Sequence, residues 1–117
     1  MSFVTLLSAG IIPDDALVIR GGKNRPEDIL RGTGMHPSGV VGISVECAVG
    51  LSVEELSNNI PHGQIGVTTV GEVRQAGGNV VRTSGRKASH ATLIGLNHEQ
   101  ASEILNPTIS NPSHLSS

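Results

Sequence analysis

Residues 83–93 bring together the side chains in this sequence that are best suited to chemistry. The segment reads Thr-Ser-Gly-Arg-Lys-Ala-Ser-His-Ala-Thr-Leu, with two adjacent cations, Arg86 and Lys87, before a histidine. Arginine and lysine are the usual protein ligands of phosphate groups. His90 and Thr92 are two residues apart and therefore project from the same face of a predicted strand. The segment predicts a phosphate-handling site, and the alternative is a solvated basic hairpin loop.

Two further histidines lie on predicted loops beside proline and glycine. His36 is in the sequence Gly-Met-His-Pro-Ser-Gly, and His62 is in Ile-Pro-His-Gly. Loops held by a rigid scaffold often carry functional residues, so either histidine is a candidate partner for His90. A zinc site is not predicted, because no cysteine pair, helical histidine pair or carboxylate occurs at ligand spacing.

The sequence Arg20-Gly-Gly-Lys23 follows a short apolar run. An arginine at the end of a strand, followed by flexible glycines, is suited to binding a phosphate. The spacing matches neither the Walker loop nor the dinucleotide fingerprint. It resembles the first motif of ADP-ribosyltransferases, which would imply a nicotinamide cleft and a catalytic glutamate. The candidates for that glutamate are Glu46, Glu72 and Glu99.

The eight cations fall into two windows of the sequence. The first comprises Arg20, Lys23, Arg25 and Arg31, and the second comprises Arg74, Arg82, Arg86 and Lys87. Ten acidic residues give a formal net charge of −2, which argues against an extended duplex-binding surface. If the two windows meet in the fold, they form one basic face on an acidic protein. If they lie apart, they are solvated surface charges, and the sequence leaves both arrangements open.

The pattern of short apolar runs and helix caps predicts an α+β fold in one domain over residues 1–117. We expect a small mixed β-sheet of about five short strands packed with three to four short helices. The predicted strands cover residues 16–20, 40–45, 65–68, 79–83 and 90–96, the last two forming a hairpin. Residues 40–45 are expected to be buried on both faces. Segments 1–12 and 106–117 are expected to be peripheral.

Helix starts are predicted where a capping residue precedes a glutamate by three positions. This pattern occurs at Ser52 and Thr69, while Asn97 is predicted to begin the last helix. A helix with proline in its first turn is predicted over residues 27–31. Cys47, the single cysteine, is expected to be a buried thiol.

Composition excludes some modes of binding. The chain has one Phe and no Tyr or Trp, so aromatic stacking platforms for single-stranded nucleic acid are not expected. No signal peptide or membrane span is predicted. We expect a cytoplasmic protein, or a module delivered by a larger secreted chain. An exposed sheet edge would allow an oligomer, and no pattern requires one.

The chain over about residues 16–112 resembles small bacterial modules found alone or as the C-terminal tips of polymorphic toxins. The resemblance includes the segments Val18-Ile-Arg-Gly-Gly, His62-Gly-Gln-Ile-Gly-Val-Thr-Thr-Val and His90-Ala-Thr-Leu, and the Asn-Pro tail. It implies a cofactor-free effector, often a ribonuclease, that is paired with a neutralising antitoxin or immunity protein. His90-Ala-Thr92 also resembles one copy of the His-x-Thr motif of the two-histidine phosphoesterases, which need two copies.

The sequence thus leads to three hypotheses. The first is a metal-independent ribonuclease that acts on RNA with His90 and a loop histidine, His62 or His36, as acid and base. Its predicted phosphate ligands are Arg20, Lys23, Arg82, Arg86 and Lys87. The second is a non-catalytic protein-binding module of the immunity or adaptor type. The third is an ADP-ribosyltransferase-like enzyme that uses Arg20.

Overall fold

A computed structural model of the chain describes residues 11–35, 39–83 and 89–114. Three of the predicted site residues, His36, Arg86 and Lys87, lie outside these ranges, as does nearly all of the amino-terminal segment predicted to be peripheral.

Within the described residues the chain forms one sheet of seven strands and four α-helices, which confirms the α+β class. The strands are β1 Leu17–Gly21, β2 Gly34–Met35, β3 Val41–Ala48, β4 Gln64–Thr69, β5 Asn79–Arg82, β6 His90–Ile94 and β7 Ile109–Ser110. The helices are α1 Pro26–Gly32, α2 Val53–Leu56, α3 Val70–Gln75 and α4 His98–Ile104.

The strands lie in the order β5-β6-β3-β1-β4-β7, and β2 pairs with β3 beside this path. All of the described pairings are antiparallel, including the predicted hairpin of β5 and β6. The sheet therefore has more strands than the predicted five and lacks the parallel pairs of a mixed sheet in the described part. The additional strands, β2 and β7, are two residues long and too short to leave a periodic signal.

The burial of β3 differs from the prediction that this strand is covered on both faces. Ile43, Val45 and Cys47 are buried, whereas Val41 is 54% exposed and Ser44 is exposed. An antiparallel sheet can leave part of one face in water, so the strand alternates between core and solvent. The prediction that Cys47 is a buried thiol is confirmed.

Two apolar cores lie on opposite faces of the sheet. The larger core packs α1, α3 and α4 against β-strand residues such as Val18, Val45 and Leu93. The smaller core packs α2 and Ile60 against Ile19 and Ile65. Since Val18 and Ile19 are consecutive in β1, their side chains point to opposite faces, and β1 contributes to both cores.

Hydrogen bonds at the helix starts follow the predicted caps with one difference. The Ser52 hydroxyl accepts from the Glu55 amide, and the Glu55 carboxylate accepts from the Ser52 amide. The Thr69 hydroxyl accepts from the Glu72 amide at 3.2 Å. The Glu72 carboxylate, however, accepts from the Thr68 hydroxyl at 2.6 Å instead of completing a capping box.

The carboxyl-terminal segment is folded against the rest of the molecule, although the sequence predicts a tail from residue 106. It contributes β7 to the sheet and ends in a short 3-10 helix, Pro112–His114. Ile109 and Ser110 pair with β4. The next residue, Asn111, is fully buried and hydrogen-bonded to backbone carbonyls. No helix of the described part of the chain has the length and apolar character needed to cross a membrane.

Candidate functional site

Two adjoining cavities share the end of β1 and the loop before β4 as a common wall. The first, called the inner cavity here, has a volume of about 280 Å³, and its polar lining comes from Arg20, Ser44, Glu46, Asn59 and His62. The second, called the cationic cleft here, has a volume of about 400 Å³, and its charged lining comes from Arg20, Lys23, Arg25, Asp28, Arg31 and His62. Arg20 and His62 belong to both cavities, so one ligand could contact them from either side.

Arg20 is held in place by the sheet and by a glycine of α1. Its Nη1 donates to the Ser44 carbonyl at 3.0 Å. A Cβ added at Gly32 would lie only 2.4 Å from Nη2 of Arg20, so the guanidinium needs a glycine there. The Nε atom is buried and has no hydrogen-bond partner among the described residues. Burial lowers the pKa of Arg20, and the nearby Asp28 carboxylate partly opposes this change.

His62 lies against the backbone of Gly21, where the missing side chain makes room for its ring. A Cβ at Gly21 would lie 2.3 Å from Nδ1 of His62. The loop that carries this histidine is fixed from below by Asn111, whose side-chain amide donates to the carbonyls of Ile60 at 3.1 Å and His62 at 2.9 Å. The ring is therefore positioned by residues that are distant in the sequence, while it remains exposed to solvent.

Lys23 projects from a loop whose backbone is fixed by the buried Asn24. Asn24 has a φ of 55°, a conformation that asparagine tolerates better than most residues. Its side-chain amide donates to the Gly22 carbonyl at 3.1 Å. Its carbonyl accepts from the Ser102 hydroxyl at 2.6 Å and the Asn106 amide at 2.9 Å. These hydrogen bonds anchor the loop of Lys23 to α4 and to the segment that follows it.

Two arginines of the cationic cleft converge on one carboxylate. Asp28 accepts from Nε of Arg25 at 2.9 Å and also from Arg31. The hydrogen bonds from Arg25, together with the positive charge of both arginines, lower the pKa of Asp28 to about 2. The arginine side chains are 54% and 70% exposed, so their outer N–H groups face solvent. Asp28 therefore orients the two cations without shielding them from a ligand.

The predicted centre at His90 lies one strand away from the inner cavity. His90 on β6 pairs directly with Glu46 on β3, and its Nδ1 is 3.1 Å from the Thr83 hydroxyl. That hydroxyl is 3.0 Å from the hydroxyl of Thr92. Ser89 donates to Glu46. Glu46 thus lies between the inner cavity and the strand that carries His90.

The described cations of the second window, Arg74 and Arg82, do not line the cationic cleft. Arg82 lies on β5 and donates to the Cys47 carbonyl at 2.6 Å, and β6 and β3 lie between β5 and β1. Arg74 pairs with Asp14. All four cations of the first window line the cationic cleft, whereas Arg86, Lys87 and His36 lie outside the described residues.

Glu46 is the residue of the inner cavity that the sequence analysis did not include in the ribonuclease hypothesis. It lies between the buried residues Val45 and Cys47. Glu46 is two positions after Ser44, so both side chains lie on the same face of the strand. This spacing is the sequence signal that could have identified Glu46. Glu46 becomes part of a cavity because the fold places β1 and the loop of His62 beside it.

The arrangement can bind an anion and transfer protons. Cations surround the cleft, and a carboxylate and an imidazole line the cavity next to it. Within residues 11–35, 39–83 and 89–114, no group of three or more His, Cys, Asp or Glu residues could hold a metal ion. Comparison of this chain with protein-family models, with curated proteins and with solved structures found no match.

Proposed function

We propose that this chain is a metal-independent ribonuclease whose acid and base are His62 and Glu46. The observation that carries the proposal is that a carboxylate residue, a histidine and an arginine, namely Glu46, His62 and Arg20, line the same cavity. These are the groups that cleavage of a phosphodiester by an internal hydroxyl requires.

The reaction uses the ribose 2′-hydroxyl as nucleophile. The ionised Glu46 takes the 2′-hydroxyl proton, and the 2′-oxygen attacks phosphorus. The bond from phosphorus to the 5′-oxygen breaks, and the protonated His62 gives its proton to that leaving oxygen. The products are a 2′,3′-cyclic phosphate and a 5′-hydroxyl, so atoms and charges balance without a metal ion or water.

Arg20 stabilises the extra negative charge that develops on the phosphoryl oxygens. Its guanidinium is held by the Ser44 carbonyl and Gly32, so little reorganisation is needed when that charge appears. A desolvated cation also interacts more strongly with an anion than a cation in water does. His90 lies opposite Glu46 on the neighbouring strand, and its predicted direct role in proton transfer stays a prediction.

The first test is cleavage of single-stranded RNA in the presence of EDTA. The wild-type protein should produce fragments with 2′,3′-cyclic phosphate ends, and DNA of the same sequence should stay intact because it lacks the 2′-hydroxyl. His62→Ala and Glu46→Gln should each lower the rate by about 10²–10⁴-fold, the usual contribution of a general acid or base. His98→Ala is the matched control, since this histidine begins α4 and lies outside both cavities.

Three results would contradict the proposal. Folded wild-type protein could leave RNA intact, it could cut DNA as well as RNA, or cleavage could continue undiminished in both variants. Circular dichroism of each variant separates a loss of chemistry from a loss of folding.

The resemblance to polymorphic-toxin modules supports a toxic role in the bacterial cytoplasm, with a neutralising antitoxin or immunity protein as partner. Tightly controlled induction in a bacterial host tests this role. The wild type should arrest growth and degrade total RNA, and His62→Ala should do neither. His90→Ala in the same assay tests the role that the sequence predicts for His90.

A second candidate is ADP-ribosyl transfer, because Arg20 and Glu46 line the same cavity. That reaction would consume a dinucleotide containing nicotinamide and release nicotinamide. Incubation with NAD and a bacterial lysate distinguishes the two enzymes, since only the transferase releases nicotinamide. If neither RNA nor NAD is consumed while the cationic cleft binds an anionic partner, the result would support the hypothesis of a non-catalytic binding module.

A further inference from the structure

We infer that the cationic cleft is a subsite for a phosphate other than the one that is cleaved, so that the preferred substrate is an extended single strand of RNA. This inference rests on the proposed ribonuclease function. It goes beyond that function because it assigns a separate role to Lys23, Arg25 and Arg31, which the chemistry at the inner cavity does not use.

The division of charge between the two cavities carries the argument. Glu46 belongs only to the inner cavity, and Lys23, Arg25 and Arg31 belong only to the cationic cleft. The scissile phosphate must lie where Glu46, His62 and Arg20 can all reach it, which is the inner cavity side of the shared wall. A phosphate bound by Arg25 and Arg31 is therefore a different one along the strand of RNA.

The cationic cleft keeps a strong positive charge despite its one carboxylate. Arg20, Lys23, Arg25 and Arg31 line the cleft together with Asp28, and the Glu27 carboxylate lies 3.8 Å from Arg25, which leaves a charge of about two positive units before His62 is counted. Asp28 is already hydrogen-bonded to Arg25 and Arg31, so its charge is largely compensated. Multidentate arginine–phosphate contacts through the remaining N–H groups are compatible with this pairing.

The composition supports recognition of the backbone instead of the bases. One aromatic residue in the whole chain leaves little capacity for the base stacking that many single-strand binders use. Affinity then comes from neutralised phosphates, which makes it dependent on salt and on strand length. A dinucleotide with one phosphate should occupy the inner cavity alone, whereas a longer strand should also occupy the cationic cleft.

Binding of fluorescent oligoribonucleotides by the His62→Ala variant tests the subsite without cleavage. Fluorescence anisotropy should show tighter binding of a hexanucleotide than of a dinucleotide. Adding Arg31→Ala should weaken the hexanucleotide several-fold and reduce the magnitude of the slope of log K against log salt by about 0.7, the value for one contact on a single strand. Binding of the dinucleotide should stay unchanged. Arg31 is 70% exposed, so this change leaves the core intact.

Arg74→Ala in the same background is the matched control, because it removes one arginine that is paired with Asp14 outside the cleft. Equal loss from Arg31→Ala and Arg74→Ala, or equal affinity for the two lengths, would overturn the subsite. Length-dependent binding by a wild-type protein that cuts no RNA would support the subsite and refute the ribonuclease. Cleavage of both lengths with equal efficiency would support the ribonuclease and refute the subsite.

Discussion

Gly32 and Arg20 form a pair in which the missing side chain of one positions the other. The guanidinium occupies the space that a Cβ at Gly32 would fill, and the nearest atom to that Cβ is the far end of a flexible side chain. Gly32 is the last residue of α1 and has no backbone conformation that excludes alanine. A substitution at Gly32 can therefore change the activity without lowering the stability of the fold.

The change Gly32→Ala should lower RNA cleavage by about tenfold or more, since Arg20 must move away from the Ser44 carbonyl and loses its alignment. Stability should stay the same or rise by up to about 1 kcal/mol, because alanine favours a helix more than glycine does. Cleavage kinetics and thermal unfolding measure the two effects.

Gly34→Ala is the control for this substitution, because a Cβ at Gly34 would meet no atom within 4 Å. It should leave cleavage unchanged. A Gly32→Ala protein with full activity would show that the alignment of Arg20 does not contribute to the reaction.

At the residue scale the sequence identified many of the groups but not their neighbours. Arg20, Lys23 and His62 were predicted as site residues, and the structure brings all three to one cleft. His90 was expected at the centre, yet the order of strands places β3 between β6 and β1. Strand order depends on long-range pairing, which residue types and local spacing do not encode.

At the scale of elements, the end of the chain controls the loop that carries His62. Asn111 follows β7 and is fully buried, and its amide satisfies two carbonyls of that loop. The sequence predicts a tail here because two Asn-Pro steps interrupt any periodic pattern. The segment is packed instead of forming a tail, because the buried amide of Asn111 hydrogen-bonds to backbone carbonyls and so joins the segment to the fold.

Asn111→Ala should lower the free energy of unfolding by about 2–3 kcal/mol, because three side-chain hydrogen bonds are lost, one of them from the Ser113 amide, and a buried carbonyl is left without a donor. RNA cleavage should fall further than stability alone explains, as His62 loses its support. Urea denaturation and cleavage kinetics give the two values. Asn58→Ala, at an exposed position of the turn after α2, should change stability by less than about 0.5 kcal/mol, and an equal effect at both positions would refute the role of Asn111.

The ion pairs of α1 predict how acid affects stability. The folded-state pKa of Asp28 is about 2, below its usual 3.8. A depressed pKa gives stability that is fully present above the usual value and is lost as the pH falls through the folded value. Wild type should therefore be more stable than Asp28→Asn at pH 7, and the difference should shrink between about pH 4 and pH 2. Urea midpoints at several pH values measure it, and a difference independent of pH would contradict the ion pairing.

Element boundaries were predictable where a local signal exists. The caps at Ser52 and Asn97 fix the starts of α2 and α4, and alternation of apolar residues indicates the longer strands. The two-residue strands β2 and β7 have no such signal, since they exist only through pairing with β3 and β4. The burial of β3 was overestimated for the same reason, because its cover depends on which helices pack on each face.

At the scale of the whole molecule, the two middle strands of the sheet, β3 and β1, line the inner cavity and also contribute to the larger core. β3 has neighbours on both sides, β6 and β1, and it carries both Glu46 and Cys47. Consecutive residues of this strand face opposite ways, so the carboxylate lines a cavity while the thiol is part of the larger core. The position of Glu46 therefore depends on the integrity of the entire sheet.

The thiol of Cys47 should report the opening of that sheet. It is fully buried, and burial raises its pKa, so both access and thiolate formation oppose alkylation in the folded protein. Iodoacetamide should label native protein at least about 10³-fold more slowly than urea-unfolded protein, given the usual stability of a domain. The native rate should rise in Asn111→Ala by the factor by which the unfolding equilibrium constant rises, about tenfold for each 1.4 kcal/mol of lost stability. Labelling is measured by mass spectrometry. Rapid labelling of native protein would show that the strand carrying Glu46 opens without global unfolding. The inner cavity would then lack the rigidity that proton transfer between fixed groups requires.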